Sequence, residues 1–265
     1  MVSDYLKHTH SLEELDDLFE RDRLAAAKVA AAVLKHEVQV AVTNISEINQ
    51  VANARIVANS QVASAKMMTN AEVVATQLTA KAELAILEIR QHTTTDGAAE
   101  EAQSGMISEI SRIATDDISD SAKKSIKDIQ DEAAQAIEQL SANATAAIEE
   151  IHAVADKISE GVVKDTRLAL EKLAKRQKES RTPESVASDA KKDAEIVLVE
   201  AEKTTKILRD MARKSTDALT ALTEEATENI RQAIEASEER ILGAQNAALG
   251  RIDEVIEAWN RAHGT

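Results

Sequence analysis

Apolar residues recur every eleven positions along most of this chain. One uninterrupted series runs through the middle of the sequence: Ile107, Ile118, Ile129, Leu140, Ile151, Val162 and Leu173. The same spacing occurs before it and after it, in Val29, Val40, Val51, Val62, Val73 and Leu84, and then in Val186, Val197, Leu208, Leu219, Ile230, Ile241 and Ile252. Eleven residues make three helical turns at about 3.67 residues per turn, so each series stays on one side of a long helix. The pattern predicts three long helices, each with an apolar stripe.

The first predicted helix carries further columns when it is divided into eleven-residue blocks. The fifth position of each block is large and apolar: Leu34, Ile45, Ile56, Met67 and Leu78. The first position is Ala or Val, in Ala30, Ala41, Ala52, Ala63 and Val74, and the last is the valine series that ends at Leu84. We expect these three columns to fall on one side of the helix.

Two breaks separate the three periodic segments. The first is the run from His92 to Gly97, with a second glycine at Gly105, and the second surrounds Pro183, where Thr182 is suited to cap the following helix. They predict helices over 19–92, 106–180 and 185–263, joined by turns at 93–105 and 181–184. Residues 1–18 form an amino-terminal segment in which a capping box at 11–14 begins a short helix. We expect one elongated domain overall.

Three matched helices with short connections predict an all-α fold, namely an elongated antiparallel three-helix bundle or coiled coil built on eleven-residue repeats. The composition agrees, because 1% aromatic residues, six glycines and one proline are too few for a mixed α/β domain of this length. The alternative is a chain that completes its core in a homo-oligomer, since stripes of equal period also pair between copies.

Charge and cysteine content narrow the possible partners and sites. The net charge of −15 opposes binding to nucleic acid and to anionic membrane surfaces. The chain has no cysteine, which excludes disulfides and thiolate metal sites. No apolar segment of a signal peptide begins the sequence, so we expect a cytoplasmic protein.

No motif indicates chemistry. The glycines are not clustered into a nucleotide-binding loop, and the adjacent carboxylate pairs, such as Asp116 with Asp117, lie between apolar positions where a solvated helix face is expected. We therefore predict no catalytic, cofactor-binding or metal-binding residues, no cofactor, and a protein that is not an enzyme.

One region of the first helix has few charges. Between Val38 and Ala71 only Glu47, Arg55 and Lys66 are charged. The polar residues there are mostly asparagines, and we take Asn44, Asn49, Asn53, Asn59 and Asn70 as a candidate interaction surface. The alternative is that this helix contacts two neighbours within the bundle and tolerates fewer charges for that reason.

These features favour a structural or scaffolding coiled-coil protein, acting as a rod, spacer or filament subunit. Its partners are expected to be proteins, through self-association or partner helices, and not nucleic acid. The alternative is a coat on a lipid droplet, polymer granule or membrane, because the repeat period resembles that of exchangeable apolipoproteins and the alanine-rich helices resemble phasin-like granule coats. The absence of aromatic anchors argues against adsorption to lipid.

Overall fold

The computed structural model of the chain describes residues 22–93, 100–179 and 184–263, and all three segments are helical. Helix α1 spans Arg23–Thr93, α2 spans Glu100–Glu179 and α3 spans Glu184–His263. The amide of Ala25 donates to Asp22 Oδ1 at 3.0 Å, so Asp22 is the amino-terminal cap of α1. The predicted capped segment at 1–18 and the predicted cap at Thr182 lie outside the described residues.

The turn predicted at 93–105 was too long. Because α2 already begins at Glu100, Gly105 is a helical residue. A glycine within a helix costs about 1 kcal/mol relative to alanine. A helix as long as α2 tolerates that cost, so the isolated Gly105 does not mark a helix end. The idea of one elongated domain stays a prediction.

Contacts group the chain into two units, each with a segment of all three helices. Unit 1 comprises Met1–Arg55 and Asn143–Leu222, and unit 2 comprises Ile56–Ala142 and Thr223–Thr265.

Contacts in unit 2 establish the helix directions. Glu72 and Glu83 of α1 pair with Arg240 and Arg251 of α3, at 2.7 and 3.3 Å, so residue numbers rise together along these two helices. Between α1 and α2 they run in opposite senses, since Lys81 pairs with Asp117 at 2.8 Å whereas Asn70 bonds Glu132 at 3.2 Å. The fold is an all-α three-helix bundle in which α2 is antiparallel to α1 and α3.

The apolar series of α2 and α3 form the core as predicted. Every member of the α2 series, from Ile107 to Leu173, is buried. Every member of the α3 series from Val197 to Ile252 is fully buried, and the side chain of Val186 lies outside the described set.

In α1 one of the three predicted columns, the valine series, was wrong. Val29 is buried, but the members of that series from Val40 to Leu84 are exposed, Val62 by 67% and Leu84 by 66%. The core is filled by the fifth column, which was predicted on the apolar side and in which Leu34, Ile45, Ile56, Met67 and Leu78 are all fully buried. The two columns are six residues apart, or about 240° around the helix axis at about 100° per residue, and therefore cannot face the same core.

A second buried column of α3 consists mostly of small residues. It contains Thr204, Ser215, Ala226, Ser237 and Ala248, and it ends at Trp259, which is also buried. In unit 2 the Ser60 hydroxyl of α1 donates to the Ala226 carbonyl at 3.0 Å, which shows that this column approaches α1 closely. Because small and polar residues produce little hydrophobic periodicity, the sequence pattern did not reveal this column.

Candidate interaction surface

The outward side of α1 in unit 2 presents a continuous uncharged surface, here called the α1 apolar face. It consists of Ala58, Val62, Ala65, Thr69, Val73, Thr76, Ala80, Leu84 and Leu87, all of which are exposed. Successive members are three or four residues apart, which is the spacing of a seam along one side of a helix. Core residues of α1 follow the same spacing, so this helix has two apolar seams and buries only one of them in the bundle.

The two threonines of the face contribute little polarity. Thr69 Oγ1 donates to the Ala65 carbonyl and Thr76 Oγ1 donates to the Glu72 carbonyl, each at 2.9 Å. A hydroxyl that is bonded to its own helix in this way has no hydrogen left to donate to a partner. The face is therefore uncharged and without a free hydrogen-bond donor along its whole length.

Four charged residues beside the α1 apolar face are directed to the neighbouring helices. On one flank Lys66 forms an ion pair with Glu132, and Lys81 Nζ lies 2.8 Å from Asp117 and 2.6 Å from the Ser121 hydroxyl. On the other flank Glu72 and Glu83 form the ion pairs with α3 already described. Pairing within the bundle keeps these charges off the face.

Exposed large apolar side chains are concentrated on α1. Among the described residues nine lie on α1, three on α2 and four on α3. In unit 1, Val40 and Val51 are exposed at the same repeat position as Val62, although Glu47 interrupts that stretch with a charge. The longest uncharged stretch of this surface is thus the face in unit 2.

The five predicted asparagines occupy different environments. Asn44 and Asn59 are exposed. Asn49 and Asn53 are half-buried, and the Oδ1 atom of each is buried without a hydrogen-bond partner. Asn70 is half-buried and donates to Glu132 Oε2. As an interaction surface the asparagines stay a prediction, and only two of the five are exposed.

A cleft of about 790 Å³ lies between α2 and α3 in unit 1. Its apolar lining includes Val163 and Leu170, and it is bordered by three cations, Arg167, Lys206 and Arg209, and three acids, Glu171, Glu202 and Asp210. Because cations and acids balance, the border offers no net charge to select an ionic ligand. The described residues also contain no cluster of three or more potential metal ligands and no helix long and apolar enough to cross a membrane.

Glu37 of unit 1 is a half-buried carboxyl whose pKa is clearly perturbed. Burial raises its pKa above the ordinary value of 4.5, and the nearby charge of Asp165 raises it further. Both groups bring negative charge to the same region of the α1–α2 contact. At neutral pH the ionised Glu37 therefore opposes folding.

Replacing Glu37 by glutamine is expected to raise the midpoint of thermal unfolding at pH 7, because the amide removes a partly desolvated charge. A raised pKa means that the folded state binds the proton more tightly than the unfolded state, so the unfavourable contribution is present above the folded pKa and disappears as the pH falls below 4.5. The stability advantage of Glu37→Gln over the parent should therefore shrink as the pH falls from 7 to below 4.5. Circular dichroism melts across this pH range measure it.

The matched control for this prediction is Glu47→Gln, since Glu47 is an exposed glutamate of the same helix and the same unit. Its free energy of unfolding should change by less than about 0.5 kcal/mol at any of these pH values. A Glu37→Gln variant that is less stable than the parent at pH 7 would contradict the assignment.

Comparison with known proteins supports the fold alone. No protein-family model matches the sequence, and no curated protein matches it. Among solved structures the chain is similar to a computationally designed three-helix bundle, with a TM-score of 0.57 and 14% sequence identity. The match covers 93% of this chain and 98% of the designed chain. The likeness therefore bears on the arrangement of the three helices and carries no information about function.

Proposed function

We propose that this chain is a non-enzymatic structural or scaffolding protein that acts through helix–helix contacts made by the outward side of α1. The observation that carries the proposal is the α1 apolar face, an uncharged seam left exposed while the other apolar seam of the same helix is buried in the bundle. Its side chains are methyl-bearing, carry no titratable group, and have no free hydrogen-bond donor, because both threonine hydroxyls donate to the backbone of α1. A surface of this kind is suited to packing against another helix and not to binding a polar substrate.

The second candidate function is a coat on a lipid droplet, polymer granule or membrane. The same uncharged face favours it, because an apolar helix side adsorbs to a weakly polar surface. Against it, the face has no aromatic residue and no line of unpaired cations beside it, since Lys66 and Lys81 are already paired with α2. Valine, alanine and threonine also project only a short distance from the helix, which favours close helix packing over insertion.

Photo-crosslinking in cells of the source organism tests the proposed function. A photoreactive side chain at position 73 of the full chain is expected to form covalent adducts with protein, whereas the same group at Gln135, an exposed residue of α2 in the same unit, is expected to form few. Equal labelling from both positions would argue against the α1 apolar face as a contact surface.

Flotation separates the two candidate functions. Purified protein mixed with neutral lipid emulsions or polyester granules is expected to remain in the soluble fraction at low and at high salt. Co-flotation that is lost on replacement of Val73 by lysine would overturn the scaffolding proposal and assign the face to a coat. Gln135→Lys is the control, because it adds the same charge away from the face.

A further inference from the structure

We propose that the α1 apolar face binds the same face of a second copy of this chain, α1 against α1, to form a weak homodimer. This inference rests on the proposed function, because it names the partner of that surface. Two properties of the face favour a copy of the chain over other helices, namely its period and its lack of charge, and the area of the face predicts the strength of the contact.

The period of the face restricts which helices can follow it. Val62, Val73 and Leu84 repeat every eleven residues, so the seam advances by about 98° per residue, whereas a heptad seam advances by about 103°. Over the thirty residues from Ala58 to Leu87 the two would diverge by roughly 140°, which is more than a third of a turn. A partner must therefore carry an eleven-residue seam of its own, and α1 of a second copy does.

The lack of charge matters because the whole chain carries a net charge of −15. Two copies repel each other over most of their surfaces, and like charges placed opposite one another add to that cost. The α1 apolar face has no charged member. Of the carboxylates beside it, Glu72 and Glu83 are partly neutralised by their arginine partners on α3, and Glu88 lies at its carboxyl-terminal end. The face is a region where two such chains meet without placing acids against acids.

The area of the face predicts how strong the contact is. Thirty residues of helix extend about 45 Å, and a strip about 10 Å wide gives roughly 450 Å² on each copy. The total of about 900 Å² is below the 1,200–2,000 Å² typical of stable complexes and falls among weak, transient interfaces. We expect a dimer that dissociates on dilution.

Sedimentation equilibrium over a concentration series tests this dimer. The mass is expected to rise from 28.6 kDa toward twice that value as concentration increases. The double variant Val62→Lys with Val73→Lys should weaken self-association at least tenfold while its circular dichroism melt stays close to that of the parent, because both side chains are already exposed. The control variant, Gln135→Lys, should associate like the parent. A parent chain that remains at the monomer mass up to about 1 mM would overturn the inference.

Single cysteines identify the face and the orientation, and the chain contains no other cysteine to interfere. Val73 lies at the centre of the face, so Val73→Cys is expected to form a disulfide-linked dimer on mild oxidation, whichever way the helices run. Val62→Cys and Leu84→Cys each link to themselves in a parallel pair, and link to each other when mixed in an antiparallel pair. Linkage of Gln135→Cys as rapid as that of Val73→Cys would overturn the assignment of the face.

The two proposals fail in different ways. If the chain stays monomeric but photo-crosslinks from position 73 to another protein, the homodimer is wrong and the helix-contact function stands. If position 73 yields no protein adducts and the protein co-floats with lipid or polymer, both are wrong.

Discussion

Replacing Met67 by alanine is expected to lower the free energy of unfolding by about 2 to 5 kcal/mol, whereas the same change at Met68 should alter it by less than about 0.5 kcal/mol. The two residues are neighbours of the same type on the same helix, and they differ in environment. Met67 is fully buried in the core of unit 2, and Met68 is 50% exposed. Truncating Met67 removes buried apolar surface and leaves a cavity, while truncating Met68 removes atoms that already contact water.

Urea unfolding followed by the fluorescence of Trp259 measures this difference, because Trp259 is the only tryptophan and lies buried in the same unit. Equal losses for the two variants would mean that the column containing Met67 does not fill the core in the way the structure places it. The pair of variants thus tests whether the column of Leu34, Ile45, Ile56, Met67 and Leu78 fills the core.

Replacing Ala133 by leucine is expected to destabilise the protein by about 1 to 3 kcal/mol. Ala133 is 1% exposed on α2 and belongs to a buried alanine series with Ala122, Ala144 and Ala155. At such positions the neighbouring helices approach each other over a methyl group, so three added carbons force a backbone shift or an unfavourable rotamer. Leucine is a good helix former, which means that the loss is not an effect of helix propensity.

The control for this prediction is the adjacent residue, since Ala134 is exposed on the same helix. Ala134→Leu should change the free energy of unfolding by less than about 0.5 kcal/mol in the same assay. If Ala133→Leu were as stable as the parent, the helices around this position would have to be further apart than the structure places them.

The fold could be predicted from the sequence because α2 and α3 each have one dominant large apolar series. A helix with a single such stripe has one way to face a core, and every described member of both series is buried. Helix α1 has two large apolar columns with the same period. The period shows how often apolar residues recur, but it does not show which of the two columns is buried. That choice depends on the volumes that α2 and α3 leave to be filled, and there the column containing Leu34, Ile45 and Met67 fits the core, while the valines lie outside.

The candidate surface differs between sequence and structure for the same reason. The shortage of charge between Val38 and Ala71 directed attention to α1, the helix that carries most of the exposed large apolar side chains among the described residues. Assigning the valine column to the core left asparagines as the remaining candidates, although Asn70 bonds to α2 and Asn49 has a buried oxygen. The proximity of Glu37 to Asp165 was equally hidden, because it depends on how α1 and α2 are aligned.

The second buried column of α3 bears on how the helices find their correct alignment. An eleven-residue period is degenerate: if α3 slid by one repeat along α1, its large apolar side chains would again meet equivalent positions, and Arg240 would still meet a glutamate, now Glu83. Trp259 removes this degeneracy in unit 2, because the slide that brings it into the place of Ala248 puts an indole ring where the structure has room for a methyl group. The opposite slide leaves a hole the size of the ring. One bulky residue at the end of a column of small ones therefore sets the alignment of α3 along α1. Repeats inserted at matching positions in all three helices would lengthen the protein and keep this alignment.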